Sequence, residues 1–194
     1  RGAMSQPKPL QKPHPPLMNA GGSATGQTFV ARHCDIAFVV PRSDDDAELA
    51  RQVAEYRELA RRESGREIQV WTSGYMALAD SIADAEKYID YYAIENGDEP
   101  HVDAFIAESI TRSRVVSPEA LIRLKRSLKA GTGGIPLLGE ARDIAERLAR
   151  ASRCGIDGVL LVWMDYQNGV RQFNAHVLPL LEAMELRGPR PAAP

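Results

Sequence analysis

Cysteine is scarce in this 194-residue chain: only Cys34 and Cys154 occur, far apart and neither in a Cys-x-x-Cys spacing. That excludes a disulfide framework and a structural zinc site built on paired thiolates. The four histidines, His14, His33, His101 and His176, show no metal-ligand spacing, so no metal is expected. Long apolar runs are missing too, and none approaches the roughly 18 residues a membrane-spanning helix needs. Arg1-Gly2-Ala3 leads into polar, proline-rich sequence without the apolar core of a signal peptide, so the expected compartment is cytoplasmic and reducing, with no membrane partner. Neither sign of charge is in excess: 24 Lys and Arg stand against 26 Asp and Glu, net −2, with the signs interspersed. Without a basic stripe or arginine–aromatic interleaving, nucleic acid is not an expected partner.

What is present suits one sizeable core, with 44% hydrophobic and 26% charged residues. Five of the thirteen prolines fall between Pro7 and Pro16, so residues 1–16 read as an extended segment, 17–187 as the folded unit and 188–194 as a frayed tail.

Within the folded unit, short apolar runs alternate with helical periodicity. Leu17 to Ala20 reads as a first strand and Thr25 to His33 as its helix. Ile36 to Val40 is continuously apolar, which predicts a strand buried on both faces. Ser43-Asp44-Asp45-Asp46 then supplies an N-cap and a dipole-matched acidic first turn. Leu49, Val53, Tyr56 and Ala60 follow at helical spacing before Gly65 ends the helix. A third strand is expected over Glu67 to Met76 and a helix over Ala79 to Tyr92. From Asp98 to Lys129 the pattern is helical but broken by Pro100 and Pro118, which suggests an insertion. Gly131 to Gly139 reads as a glycine-dense loop with a short apolar piece, its Gly131 to Gly134 part either a mobile lid or a floppy connection. Glu140 to Arg153 is a helix closed by Gly155, Gly158 to Trp163 a last strand, and Val170 to Glu185 a final helix kinked at Pro179. Phe173, Val177, Leu181 and Met184 fall on one face of that helix.

The fold class is therefore α/β, with about four parallel strands joined by right-handed crossovers and carrying a helical insertion. Four such units leave two open sheet edges, whereas an eight-stranded α/β barrel of about 250 residues leaves none. The count points to half a barrel.

One segment looks chemical. Ala20-Gly21-Gly22-Ser23-Ala24-Thr25-Gly26 joins the first strand to its helix, with small residues that admit a ligand, hydroxyls on Ser23 and Thr25, and helix N–H groups free to meet an anion. The same residues are equally consistent with an ordinary N-cap turn.

The order of several blocks resembles one known family. These are Pro7-Lys8-Pro9-Leu10-Gln11-Lys12-Pro13-His14-Pro15-Pro16, Ala20-Gly21-Gly22-Ser23, Ala31-Arg32-His33-Cys34-Asp35, Pro136-Leu137-Leu138-Gly139, Gly155-Ile156-Asp157-Gly158, and Trp163-Met164-Asp165-Tyr166 ahead of Gly169 and Phe173. In this order they resemble the C-terminal half of a bacterial-luciferase-like flavin monooxygenase, the group with alkanesulfonate, dimethyl sulfone and pyrimidine monooxygenases. The resemblance implies the second half of a (β/α)8 TIM barrel. It implies FMN, reduced by a separate flavin reductase, with O2 and a small organic molecule as substrates, in a homo-oligomer. It places the FMN phosphate on the backbone of Gly22 and Ser23 and on the Ser23 hydroxyl, with Gly26 permitting close approach and Thr25 as a second hydroxyl. Most flavin contacts belong to the first four strands of such a barrel, so this chain alone is expected to be inactive. A deazaflavin-dependent hydride transferase of the same superfamily, or a non-catalytic half-barrel partner, are the alternative readings.

Other residues carry two readings each. Ser73 and Tyr75 stand where alkanesulfonate-type relatives tend to place an arginine and a histidine, which argues against a sulfonate. Tyr75 is either a flavin or substrate contact or a packing residue. Trp163 and Asp165 either line the pocket or, for Asp165, cap the last helix. His33 and Cys34 read as structural and His176 as surface.

Overall fold

The computed structural model describes residues 6–110 and 118–188. The expectations for residues 1–5 and 189–194, and for the part of the insertion at 111–117, lie outside the described residues. Residues 6–16 are irregular and exposed, as their prolines require.

The first strand, β1 (Met18–Asn19), is only two residues long, and α1 (Ala24–His33) follows. β2 (Ile36–Phe38) leads to α2 (Asp46–Ser64), which is capped by Asp45 rather than Ser43: its carboxylate accepts from the Glu48 N–H at 2.9 Å. Leu49, Val53, Tyr56 and Ala60 are all buried, as their spacing predicts, and Gly65 closes the helix at φ 67°. β3 (Gln69–Leu78) is the long central strand. After it come α3 (Ile82–Ile89), which runs on as π-helical turns to Glu95, then α4 (Glu99–Ile110) and α5 (Pro118–Gly131). Pro118 and Pro100 do not break these helices. They occupy first and second positions, where a missing N–H costs nothing.

Residues 135–139 overturn a sequence expectation. The glycine-dense loop contains a further strand, β4 (Ile135–Gly139), paired in parallel with residues 74–78 of β3. Gly134 lets the chain in, since a Cβ there would sit 2.5 Å from the Ser73 carbonyl carbon. The lid reading fails for the same reason. Gly131 is wedged equally tightly, its missing Cβ 2.4 Å from that of Tyr75.

α6 (Ala141–Arg153), β5 (Gly158–Val162) and α7 (Tyr166–Gln172) complete the alternation. The last helix is interrupted: π-helical turns at Phe173–Val177 precede α8 (Leu178–Ala183). Pro179 has no N–H to give the preceding turn, which widens there. Phe173, Val177 and Leu181 are buried, but Met184 lies past the helix end and is exposed.

All pairings are parallel. Trp71 pairs with Phe38 on one side and Gly158 on the other, so β2 and β5 flank β3. Tyr75 pairs with both Pro136 and Val162, which puts β4 on the β2 edge, beyond the end of β2. The four expected strands thus run β1-β2-β3-β5, and β4 is an addition delivered by the insertion.

The sheet has two unlike faces. Ala37, Val39, Val70, Met76, Ile135 and Leu137 turn to the helical layer and form the main core with α1, α2, α6 and the final helix. On the opposite face, Tyr75 and Ala77 pack against Ala85 and Ile89 of α3, Ala93 of the π-helical turns after it and Ala130 of α5. The rest of that face is open: Ile36, Phe38 and Trp71 are half-buried, and Met18 and Leu160 are 44% and 55% exposed. β2 is therefore not buried on both faces, and only its Ala37 is inaccessible.

Candidate cofactor site

Parallel strands deliver all their C-terminal ends to one side of the sheet, where α/β barrels place their sites. The turn after β1 is built by two glycines that need each other. A Cβ on Gly21 would lie 2.5 Å from the Gly26 carbonyl oxygen, and one on Gly26 would lie 2.8 Å from the Gly21 Cα. Gly26 thus serves packing within the turn. Gly22 is different: nothing lies within 4 Å of its missing side chain, and the residue is exposed.

Ser23 is the N-cap of α1, its Oγ accepting from the Gly26 N–H at 3.1 Å. Its hydroxyl proton is left to donate outward, so the capping and anion-binding readings describe one geometry. The first turn of α1 carries no acidic residue, whereas α2 has Asp46 and Glu48, α3 has Asp84 and α6 has Asp143. An anion at Gly22 and Ser23 would meet the positive end of the helix and no carboxylate from its first turn. These residues fit a phosphate. Thr25 instead lines a surface groove with Thr28, Phe29 and His33.

Two side chains behind the turn were not singled out by sequence reasoning. The Tyr56 hydroxyl donates to the Gly21 carbonyl at 3.1 Å, and Gln27 Nε2 reaches the Gly22 carbonyl and the Tyr56 oxygen, each at 3.4 Å. Tyr56 was legible only as one position of an apolar stripe. Nothing in the sequence marked Gln27.

At the same end of the sheet, Tyr75 lines a cavity of about 300 Å³ with Arg42, Ser43, Arg123, Arg126 and Gly134. Burial pushes its phenol up to about 12, so it is a neutral hydrogen-bond donor at physiological pH. Arg126 is held in place by Glu86 and by Asp90 at 3.1 Å. Beside Tyr75 on β3, the Ser73 hydroxyl is buried with no hydrogen-bond partner among the described residues.

Trp163 lies one residue past Val162, the partner of Tyr75, and faces the helices. Its ring covers Gly169 and meets Tyr166 and Phe173 edge-on at 5.8 and 6.2 Å. The structure therefore puts Tyr75 and Trp163 on opposite faces of the sheet. Asp165 caps α7 by accepting from the Asn168 N–H at 3.0 Å. Asp46 pairs with Arg147 at 2.9 Å. Cys34 is buried, which raises its thiol pKa, and His33 packs at a tilt against Phe29 at the surface. Among the described residues, no three His, Cys, Asp or Glu side chains group to hold a metal ion, and no helix is long and apolar enough to cross a membrane.

The model of the family described as Luciferase-like monooxygenase matches residues 1–158. The chain belongs to this family. It is 26% identical over 191 residues to an FMNH(2)-dependent dimethylsulfone monooxygenase of Pseudomonas putida, covering 93% of this chain and 50% of that protein. It is 25% identical over 185 residues to pyrimidine monooxygenase RutA of Caulobacter segnis, covering 88% and 50%. The chain thus spans about half the length of the curated relatives it matches. The crystal structure of DmoA from Hyphomicrobium sulfonivorans superposes with a TM-score of 0.71 at 19% identity, covering 91% of this chain and 43% of that one. That likeness concerns the fold: the parallel sheet with its helices matches about half of a luciferase-like TIM barrel.

Proposed function

We propose that this chain forms the phosphate-binding half of an FMN-dependent monooxygenase barrel that oxygenates a small organic molecule with O2. The observation that carries this reading is the turn after β1. Gly22 is open on its side-chain side, Ser23 caps α1 with a hydroxyl proton to spare, and the first turn of α1 holds no acid. Family membership, and a relative whose name specifies FMNH(2) dependence, support flavin phosphate among the anions such a turn could take.

In this reading Gly22 and Ser23 bind the FMN phosphate, with Thr25 as a further hydroxyl at the edge. Reduced FMN, supplied by a separate reductase, brings the oxygen-activating chemistry. The chain's own residues bind and orient. Tyr75 offers a neutral hydroxyl to the cavity at the strand ends, and Arg126 is fixed beside it by two carboxylates. The half-buried aromatic face around Phe38 and Trp71 is the wall against which further strand–helix units close and from which water is then excluded. Because that face is open in this chain, oxygenation requires those further units.

The test is a titration of the 15N-labelled chain with FMN and with riboflavin, which differ by the phosphate. Amide shifts at Gly22, Ser23 and Thr25 are expected with FMN at concentrations where riboflavin leaves them unmoved. Equal responses to the two flavins would remove the phosphate reading.

A further inference from the structure

The phosphate turn is held from behind by two side chains whose bonds go to its carbonyls and not to any ligand. Tyr56, buried on α2, donates to the Gly21 carbonyl at 3.1 Å. Gln27, on α1, reaches the Gly22 carbonyl at 3.4 Å and gives its other N–H to the Tyr56 oxygen at the same distance. A trans peptide is planar, with its C=O and N–H pointing in opposite directions. Fixing the Gly21 carbonyl toward α2 therefore fixes the Gly22 N–H away from it, and fixing the Gly22 carbonyl does the same for the Ser23 N–H. Neither N–H has a hydrogen-bond partner among the described residues. Gly22, which has no side chain to restrain its φ and ψ, is the residue where such outside control matters most.

We propose that Tyr56 and Gln27 are positioning residues that turn the Gly21 and Gly22 peptide planes so that the N–H groups of Gly22 and Ser23 converge on the FMN phosphate. The inference rests on the phosphate reading given above. Burial raises the Tyr56 pKa, so the hydroxyl keeps its proton and remains a donor throughout the working pH range. Ser23 cannot substitute for this pair, since its Oγ accepts from Gly26 and leaves the two preceding carbonyls untouched. The two residues come from different helices, so the turn is set by the packing of α1 on α2.

The experiment uses Tyr56→Phe and, as a second variant that leaves the buried ring in place, Gln27→Met. Each 15N-labelled chain is titrated with FMN and with riboflavin, following the Gly22 and Ser23 amides, and urea midpoints report the fold. Loss of one neutral hydrogen bond is expected to weaken FMN binding about 3- to 10-fold in each variant, with riboflavin binding unchanged. Unchanged FMN binding in both variants, or an equal loss for FMN and riboflavin, would overturn the proposal while leaving the phosphate site standing. A wild-type chain that does not distinguish the two flavins removes the site itself, and this inference with it.

Discussion

The indole of Trp71 covers Gly158, its neighbour across the β3–β5 pairing: a Cβ at residue 158 would sit 2.3 Å from the ring's Cε2. The ring needs a glycine at that register position, and in return it shields the strand backbone on the open face. Gly158→Ala should destabilise the chain by about 1–3 kcal/mol, because the indole must leave its place. In urea unfolding, Gly158→Ala combined with Trp71→Ala should lose less than the sum of the single changes. Additive losses would show that the ring and the glycine are independent.

One residue earlier, Asp157 fastens the start of β5. Its Oδ2 accepts from the Val70 N–H at 2.7 Å and from Arg57 Nη2 at 2.9 Å, while Arg57 also donates to the Gly155 carbonyl at 2.8 Å. Asp157→Ala leaves the Val70 N–H without this acceptor, and a cost of about 1–3 kcal/mol is expected. Asp157→Asn keeps an acceptor and should lose less. The comparison is read from denaturation midpoints, and equal losses for the two variants would mean that charge alone matters there.

Asp35 gives the fold a dependence on acid. The Leu17 N–H, donating to Oδ2 at 2.8 Å, and then Arg66 at 2.5 Å hold its carboxyl below the usual aspartate range, against an opposing effect of burial. A depressed folded-state pKa means that the unfolded chain takes up its proton first as the pH falls. The contribution of Asp35 is therefore complete above the ordinary aspartate range and disappears as the pH drops through the lowered value. Since Leu17 adjoins β1, the β1–β2 pairing should loosen first. Urea midpoints between pH 7 and pH 3 should fall less steeply for Asp35→Asn than for the wild type, and parallel curves would contradict this.

Much of this architecture is legible in the sequence because local signals and tertiary packing agree. The stripe Leu49, Val53, Tyr56 and Ala60 marks α2, and Gly65 and Gly155 mark helix ends at positive φ. β4 was hidden because Gly131, Gly133 and Gly134 imitate flexibility, while Gly131 and Gly134 in fact permit close contact with Tyr75 and Ser73. Ile36 to Val40 misled in the other direction: its apolar run alternates, with Ala37 and Val39 in the helical core and Ile36 and Phe38 on a face this chain leaves open. At the site, Gly22 and Ser23 could be picked out by residue type. Tyr56 and Gln27 could not, because their part depends on the packing of α1 against α2, which no local spacing encodes.

Ser73 is the reverse of these satisfied contacts, a hydroxyl buried without a partner among the described residues. Burying an unbonded hydroxyl costs free energy, so Ser73→Ala should leave stability unchanged or raise it by about 1 kcal/mol. Thermal and urea unfolding would measure this. A clear loss would mean that the hydroxyl has a partner in solution, with an ordered water the first to look for.

The open face of the sheet makes the last prediction. Met18, Phe38, Trp71 and Leu160 come from all four main strands and present apolar surface, with Met18 and Leu160 exposed at 44% and 55%. β1 and β5 each have one edge without a paired strand among the described residues, so backbone donors and acceptors border the same surface. Such a surface associates with whatever apolar partner is at hand, and in a purified sample that partner is another copy. The chain should therefore sediment as concentration-dependent oligomers and bind a hydrophobic dye. Leu160→Glu, which places a charge on the exposed patch at its β5 edge while leaving the helical core intact, should shift the distribution toward monomer and reduce dye binding. A monomeric wild type that binds no dye would show that this face is covered from within the chain.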